Sequence, residues 1–194
     1  MNRKRINVLT KSALLAALAA VIMYIDFPLP FLPAFLKLDF SDIPALIGAF
    51  AYGPLVGVMI EFVKNVAHLP VDAGQTGGVG SLANFIIGSA FVIPVGVLYK
   101  ARKDRKGAFL GLLIGGISMV LFACIANYFV LIPIYERFMP LDKIIAFAAA
   151  SNPLIKSVNT YILYGVIPFN ALKVLVVSVV TLVLYKKVSP ILHK

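Results

Sequence analysis

The chain has 194 residues, 61% of them hydrophobic and 13% charged, with a mean hydropathy of +0.97 and a formal net charge of +10. A soluble domain of this length can neither bury nor expose so much apolar surface, so the composition excludes one and indicates an integral membrane protein. The basic excess sits in short caps on apolar runs without aromatic interleaving, which excludes a nucleic-acid surface, and the single Cys124 excludes a disulfide or a thiolate metal cluster within one chain.

The first element is an apolar run that follows Arg3, Lys4 and Arg5 and predicts a transmembrane helix over 6–25. It resembles a signal peptide, but further membrane-length runs continue to the C-terminus instead of a soluble domain. Small residues recur on this helix in two registers, Ala13 with Ala17 and Ala16 with Ala20, a spacing that admits close approach by another helix. Packing within the chain and docking of an external partner both fit that spacing. Residues 26–41 follow as a connection rich in Pro28, Pro30 and Pro33 among Phe27, Phe31 and Phe35, so no regular helix fits there.

The next apolar stretch, Asp42 to Leu69, is long for one helix and short for two. Charge decides the count. Twelve of the eighteen Lys and Arg residues fall in three segments, Arg3 to Lys11, Lys100 to Lys106 and Lys186 to Lys194, and cytoplasmic flanks collect such residues. Only two spans, 42–52 and 54–69, return all three segments to the cytoplasmic side, with the break at Gly53-Pro54. At 1.5 Å per residue these halves are roughly 16 and 24 Å, short of a hydrocarbon core of about 30 Å, so they belong inside a bundle. Glu61 and Lys64, three apart on one face of the second half, read as an ion pair with Asn65 beside it, or as a proton or sodium relay. His68 reads as a local hydrogen-bonding group.

A glycine-rich connection is expected over 70–80; its G-x-G-x-x-A match lacks the strand that a dinucleotide site needs, although the helix start it opens could face a ligand's carbonyl or anionic group. Helices over 80–99, 107–133 and 160–186 complete a six-helix, all-α membrane domain spanning 1–194 with both termini cytoplasmic, and a short helix fits 143–150 in the last outer connection. Asn84, Asn127, Asn170 and Lys173 lie within the last three spans at the outer half, with Asn170 and Lys173 on one helix face just after Pro168 and Asn127 before Pro133. Polar groups in hydrocarbon are costly, and four at one depth suit a polyfunctional organic solute; bonding among themselves or to backbone freed near the prolines is the plainer account. No Gly-Lys dipeptide occurs, so there is no Walker A loop, and no H-E-x-x-H or Ser, His and acid grouping suggests an enzyme.

Two runs carry a family likeness. Phe35-Leu-Lys-Leu-Asp-Phe-Ser-Asp-Ile-Pro-Ala-Leu-Ile-Gly-Ala-Phe-Ala-Tyr-Gly-Pro54 with Glu61-Phe-Val-Lys-Asn65, and Pro168-Phe-Asn-Ala-Leu-Lys173, resemble the riboflavin-specific S components of energy-coupling factor (ECF) transporters, multi-pass proteins of the bacterial cell membrane. The resemblance runs the whole chain. It implies high-affinity capture of riboflavin, as substrate and not as cofactor, from the outer side without catalysis. It implies energisation by a transmembrane coupling subunit in the same lipid bilayer and by two ABC-type ATPase subunits. It further implies that Leu36, Leu38, Asp39 and Phe40 cover the ligand, that Asn84, Asn127, Asn170 and Lys173 bond its polar edge, and that Ala13, Ala16, Ala17 and Ala20 form the docking face. The rivals are an S component for another vitamin and an ion-coupled secondary transporter using Glu61 and Lys64.

Overall fold

In a computed structural model of the chain, residues 3–192 are described; Met1, Asn2, His193 and Lys194 lie outside the described residues, and with them the last lysine of the C-terminal basic segment. Nearly all of the described chain is helical. The helices are α1 (Arg3–Met23), α2 (Asp42–Tyr52), α3 (Pro54–Thr76), α4 (Val79–Ala101), α5 (Arg105–Ala126), α6 (Ile132–Tyr135), α7 (Leu141–Ala149), α8 (Val158–Tyr161) and α9 (Ile167–Leu192). Among the described residues, five stretches are long and apolar enough to cross a membrane: Arg5–Met23, Pro54–Gly74, Val79–Ala101, Arg105–Tyr135 and Val158–Lys187.

The short α2 has the burial that its length requires: nine of its residues, Asp42 through Phe50, are shielded from the bundle's surroundings. Its Leu46 and Ala49 pack with Leu15 of α1, Ile60 of α3, Val95 of α4, Met119 of α5 and Val177 of α9, so the main core forms around it. Gly53 and Pro54 then turn the chain into α3, as the sequence indicates.

Two boundaries differ from the sequence reading. Helix α3 continues through Pro70 to Thr76, about 35 Å in all, so the expected glycine-rich connection shrinks to Gly77 and Gly78. Both take positive φ, 68° and 88°, which side-chain-bearing residues disfavour and which lets α4 start after a two-residue turn. Pro133 does not end its helix, and Pro168 lies within its span as expected. Each follows a π-helical turn, Asn127–Leu131 and Ile162–Val166, in which the N–H of Ile132 reaches back to Asn127 O and that of Ile167 to Ile162 O. The wider turn makes room for a proline ring and absorbs its missing N–H, so both stretches run on as single spans.

The proline-rich connection is a small hairpin, β1 (Phe27–Pro28) against β2 (Lys37–Leu38), antiparallel with Phe27 opposite Leu38. Leu32 and Leu38 pin it on Phe169 of α9. At the other end of the bundle the rings of Phe50, Tyr99 and Tyr185 meet with centroids 4.7 to 5.8 Å apart, which brings the α2–α3 turn, the 100–106 segment and the end of α9 together. Helix α1 runs alongside α3, Leu15 packing in the same core as Ile60 and the Tyr24 hydroxyl donating to Ala67 O at 2.8 Å. Its basic start therefore lies at that same end. Basic residues gather at one end of the molecule and the hairpin covers the other.

Candidate functional site

Beneath the hairpin lies a cavity of about 840 Å³ with a predominantly apolar wall, within the usual range for a site that takes a small organic ligand. The hairpin supplies Phe35, Leu36 and Asp39, the end of α3 and start of α4 supply His68, Asp72, Ser81 and Asn84, and Met119, Asn127, Tyr161, Phe169, Asn170 and Lys173 come from the last two spans. Helix α7 closes a further side with Ile144 and Phe147.

All four polar residues singled out in the spans face this space. Asn127 donates from Nδ2 to Ala123 O at 2.9 Å and accepts from the Tyr161 hydroxyl at 2.9 Å; Asn170 donates from Nδ2 to Val166 O at 2.8 Å. One N–H of each amide is thus spent on backbone, which meets the plainer account in part. Each keeps a second N–H, and Asn170 keeps Oδ1, so both can still address a ligand carbonyl or ring nitrogen. Asn84 lies half-buried in the wall one turn beyond Ser81.

Lys173 does more than face the cavity. Its Nζ lies 2.9 Å from Asp39 Oδ2 and 3.0 Å from Asp42 Oδ2, tying the hairpin and α2 to α9. Asp42 also pairs with Lys64, which reaches Glu61 Oε2 at 2.9 Å and donates to Ser41 Oγ at 2.9 Å. Ser41 completes the chain by donating its N–H to Asp39 Oδ1 at 2.8 Å and its hydroxyl to the same oxygen. The expected Glu61–Lys64 pair is therefore present but is one link in a buried network of three carboxylates and two ammonium groups, and Asn65 supports it through a 2.8 Å bond to Glu61 O. Burial opposes ionisation of Asp39, yet the Lys173 ammonium outweighs it and holds the carboxyl below its ordinary range. This tie is fully present at neutral pH and is lost only as the pH falls through that lowered value.

Of the hairpin residues, Leu36 and Asp39 line the cavity, whereas Leu38 is buried against Leu32 and Phe169, and Phe40 packs on the same cluster and on Phe27. Only Lys37 and Leu38 are paired strand residues, and they point to opposite faces: Lys37 lines the cavity while Leu38 turns onto Leu32 and Phe169. The alanines also divide. Ala16 is buried in the core and Ala20 half-buried, while Ala13 and Ala17 are exposed on the outer face of α1. The start of α4, open to a ligand's anionic group in the sequence reading, is already occupied, since Asp72 Oδ2 accepts the Ser81 N–H at 2.7 Å.

Sequence reasoning missed Asp42, Asp72 and Tyr161. Asp42 opens a helix and looks like an ordinary first-turn acid; Asp72 falls in the misplaced connection; Tyr161 sits at an expected helix start. The available signal for Tyr161 was an aromatic hydroxyl in an apolar run, which needs a partner when buried.

Comparison with known proteins places the chain. The family model described as the ECF transporter substrate-specific component matches residues 7–185. The Riboflavin transporter RibU of Staphylococcus aureus (strain TCH60) is 36% identical over 194 residues, covering 100% of this chain and 96% of its own. The Riboflavin transporter FmnP of Bacillus subtilis (strain 168) is 35% identical over 187 residues, 96% of this chain and 94% of its own. A solved structure of the S component of a bacterial ECF transporter superposes with a TM-score of 0.76 at 33% identity, covering 98% of this chain and 99% of that one.

Proposed function

We infer that this chain, which belongs to the substrate-specific components of ECF transporters, is a riboflavin-binding subunit of such a transporter in the bacterial cell membrane. The observation that carries the reading is likeness over the whole chain to two riboflavin transporters, joined to a cavity of about 840 Å³ whose polar lining includes three amides. Isoalloxazine is a flat system with one apolar edge and one rich in carbonyls and ring nitrogens. Phe35, Leu36, Ile144 and Phe169 suit the first edge; Asn84, Asn127 and Asn170 suit the second.

In this reading the hairpin end faces outward and the basic end faces the cytoplasm, with α2 as the short sixth crossing and both termini inside. Riboflavin enters beneath the hairpin, and the Asp39–Lys173 pair holds Leu36 over it. The chain carries no Walker A loop, so energy comes from a coupling subunit with two ATPase subunits. The ion-coupled alternative loses its support in the geometry, because Glu61 and Lys64 are sealed, with no exposed side-chain surface, and paired within the network.

Purified chain in proteoliposomes is expected to take up no riboflavin under an imposed proton or sodium gradient, and to take it up when a coupling subunit, its ATPases and ATP are added. Gradient-driven uptake by the chain alone contradicts the reading. Ala13 and Ala17 supply the exposed small-residue face for the coupling subunit. Ala17→Leu adds bulk only outside the bundle, so riboflavin affinity stays unchanged while uptake in the complete transporter falls at least about tenfold, roughly 1.4 kcal/mol of lost docking. Normal uptake by this variant removes that face from the account.

A further inference from the structure

Resting on the riboflavin reading, the charge lining the cavity points to a preference for one chemical form of the flavin. Asp72 lines the cavity at only 6% exposure. Its Oδ2 accepts the Ser81 N–H at 2.7 Å and its Oδ1 accepts the Thr76 hydroxyl at 2.6 Å, while Thr76 Oγ1 accepts the Gly80 N–H at 2.9 Å. Every one of these partners is neutral. A side chain on Gly80 would bring its Cβ to 2.6 Å from Asp72 Oδ1, so the close seating of the carboxylate depends on that glycine. The two lysines that line the cavity are committed elsewhere: Lys173 lies between Asp39 and Asp42, and Lys37 pairs with Asp26 at 3.2 Å. His68 faces Ser81 Oγ at 3.5 Å and rests edge-on against Tyr24. The start of α4, which would otherwise attract a phosphate, holds Asp72.

We propose that Asp72 is a specificity-determining residue that makes the site take free riboflavin in preference to riboflavin 5′-phosphate. The ribityl arm carries hydroxyl groups, which donate, and a carboxylate oxygen has lone pairs left after one N–H or O–H bond. The 5′-phosphate replaces the terminal donor by acceptor oxygens carrying about −1.5 to −2 charge at neutral pH. In a cavity covered by the hairpin, that charge meets a carboxylate that pairs with no ammonium among the described residues, where low dielectric strengthens repulsion. The amides of Asn127 and Asn170 hold the ring in both forms and do not distinguish them.

The test is a fluorescence-quenching titration of the full chain in mild detergent with riboflavin and with riboflavin 5′-phosphate, on wild type, Asp72→Asn and Asp72→Ser. Asn keeps the acceptor for Ser81 N–H, and Ser offers a smaller one, so at least one variant is expected to fold; bound riboflavin serves as the check. The expected result is that wild type binds riboflavin at least about tenfold more tightly than the phosphate, and that the variants narrow this ratio about tenfold or more by gaining affinity for the phosphate. Equal binding of the two flavins by wild type, or an unchanged ratio in a variant that binds riboflavin, overturns the assignment to Asp72 and leaves the riboflavin reading standing. A wild type that binds neither flavin overturns both.

Discussion

Lys173→Met is expected to weaken riboflavin binding about a hundredfold, or 2.7 kcal/mol. Methionine keeps the length and fills the space, so the change isolates charge from packing. The ammonium lies at hydrogen-bonding distance from Asp39 on the hairpin and from Asp42 on α2, all three nearly fully buried. Removing one partner of a buried pair costs about 3–5 kcal/mol, because a desolvated charge is left behind. Asp42 is fixed on a helix and keeps Lys64, whereas Asp39 directly follows a two-residue ladder and can return to water by opening the hairpin. The cheapest relaxation is therefore loss of the cover, which appears as lost affinity more than as unfolding. Asp39→Asn in the same background should recover part of the loss, giving a coupling in a double-mutant cycle. Full affinity in Lys173→Met, measured by flavin titration, removes Lys173 and the hairpin tie from the binding account.

The second large effect falls on stability. Lys64 has no exposed side-chain surface and serves Asp42, Glu61 and Ser41 together. None of these can swing out, since Asp42 and Glu61 are enclosed on α2 and α3, and the Glu61 carboxylate presses on Gly88 of α4. Lys64→Met is expected to cost about 3–5 kcal/mol, lowering the thermal midpoint in detergent by on the order of 10 °C. Adding Glu61→Gln, which removes one stranded charge, should return several degrees. An unchanged midpoint for Lys64→Met means that the network does not hold the bundle together.

The parts of the fold legible in the sequence were those written in composition. Apolar runs gave the five membrane-length helices, and Gly53-Pro54 gave the break between α2 and α3. Prolines were the misleading signal. Pro70 and Pro133 read as ends, yet both lie within continuous helical stretches, and Pro133, like Pro168 inside its expected span, is accommodated by a π turn that no residue pattern announces. That error hid Asp72 in a connection. The four intramembrane polar residues were found because each is costly in hydrocarbon and demands a reason. The partners of Lys173 were not found, since Asp39 and Asp42 are more than a hundred residues away and only the packed fold brings them together. Spacing on α1 gave two alanine registers, and only packing shows that Ala16 faces the core while Ala13 and Ala17 face out.

Riboflavin in the cavity under the hairpin is what every other role assigned to this chain depends on. Its most direct test is to purify the chain in mild detergent, record the visible absorption spectrum, and titrate ligand-free protein with riboflavin while following flavin fluorescence. Tight, stoichiometric quenching is expected, with affinity about a hundredfold weaker in Lys173→Met. A colourless protein that leaves riboflavin fluorescence unchanged contradicts it.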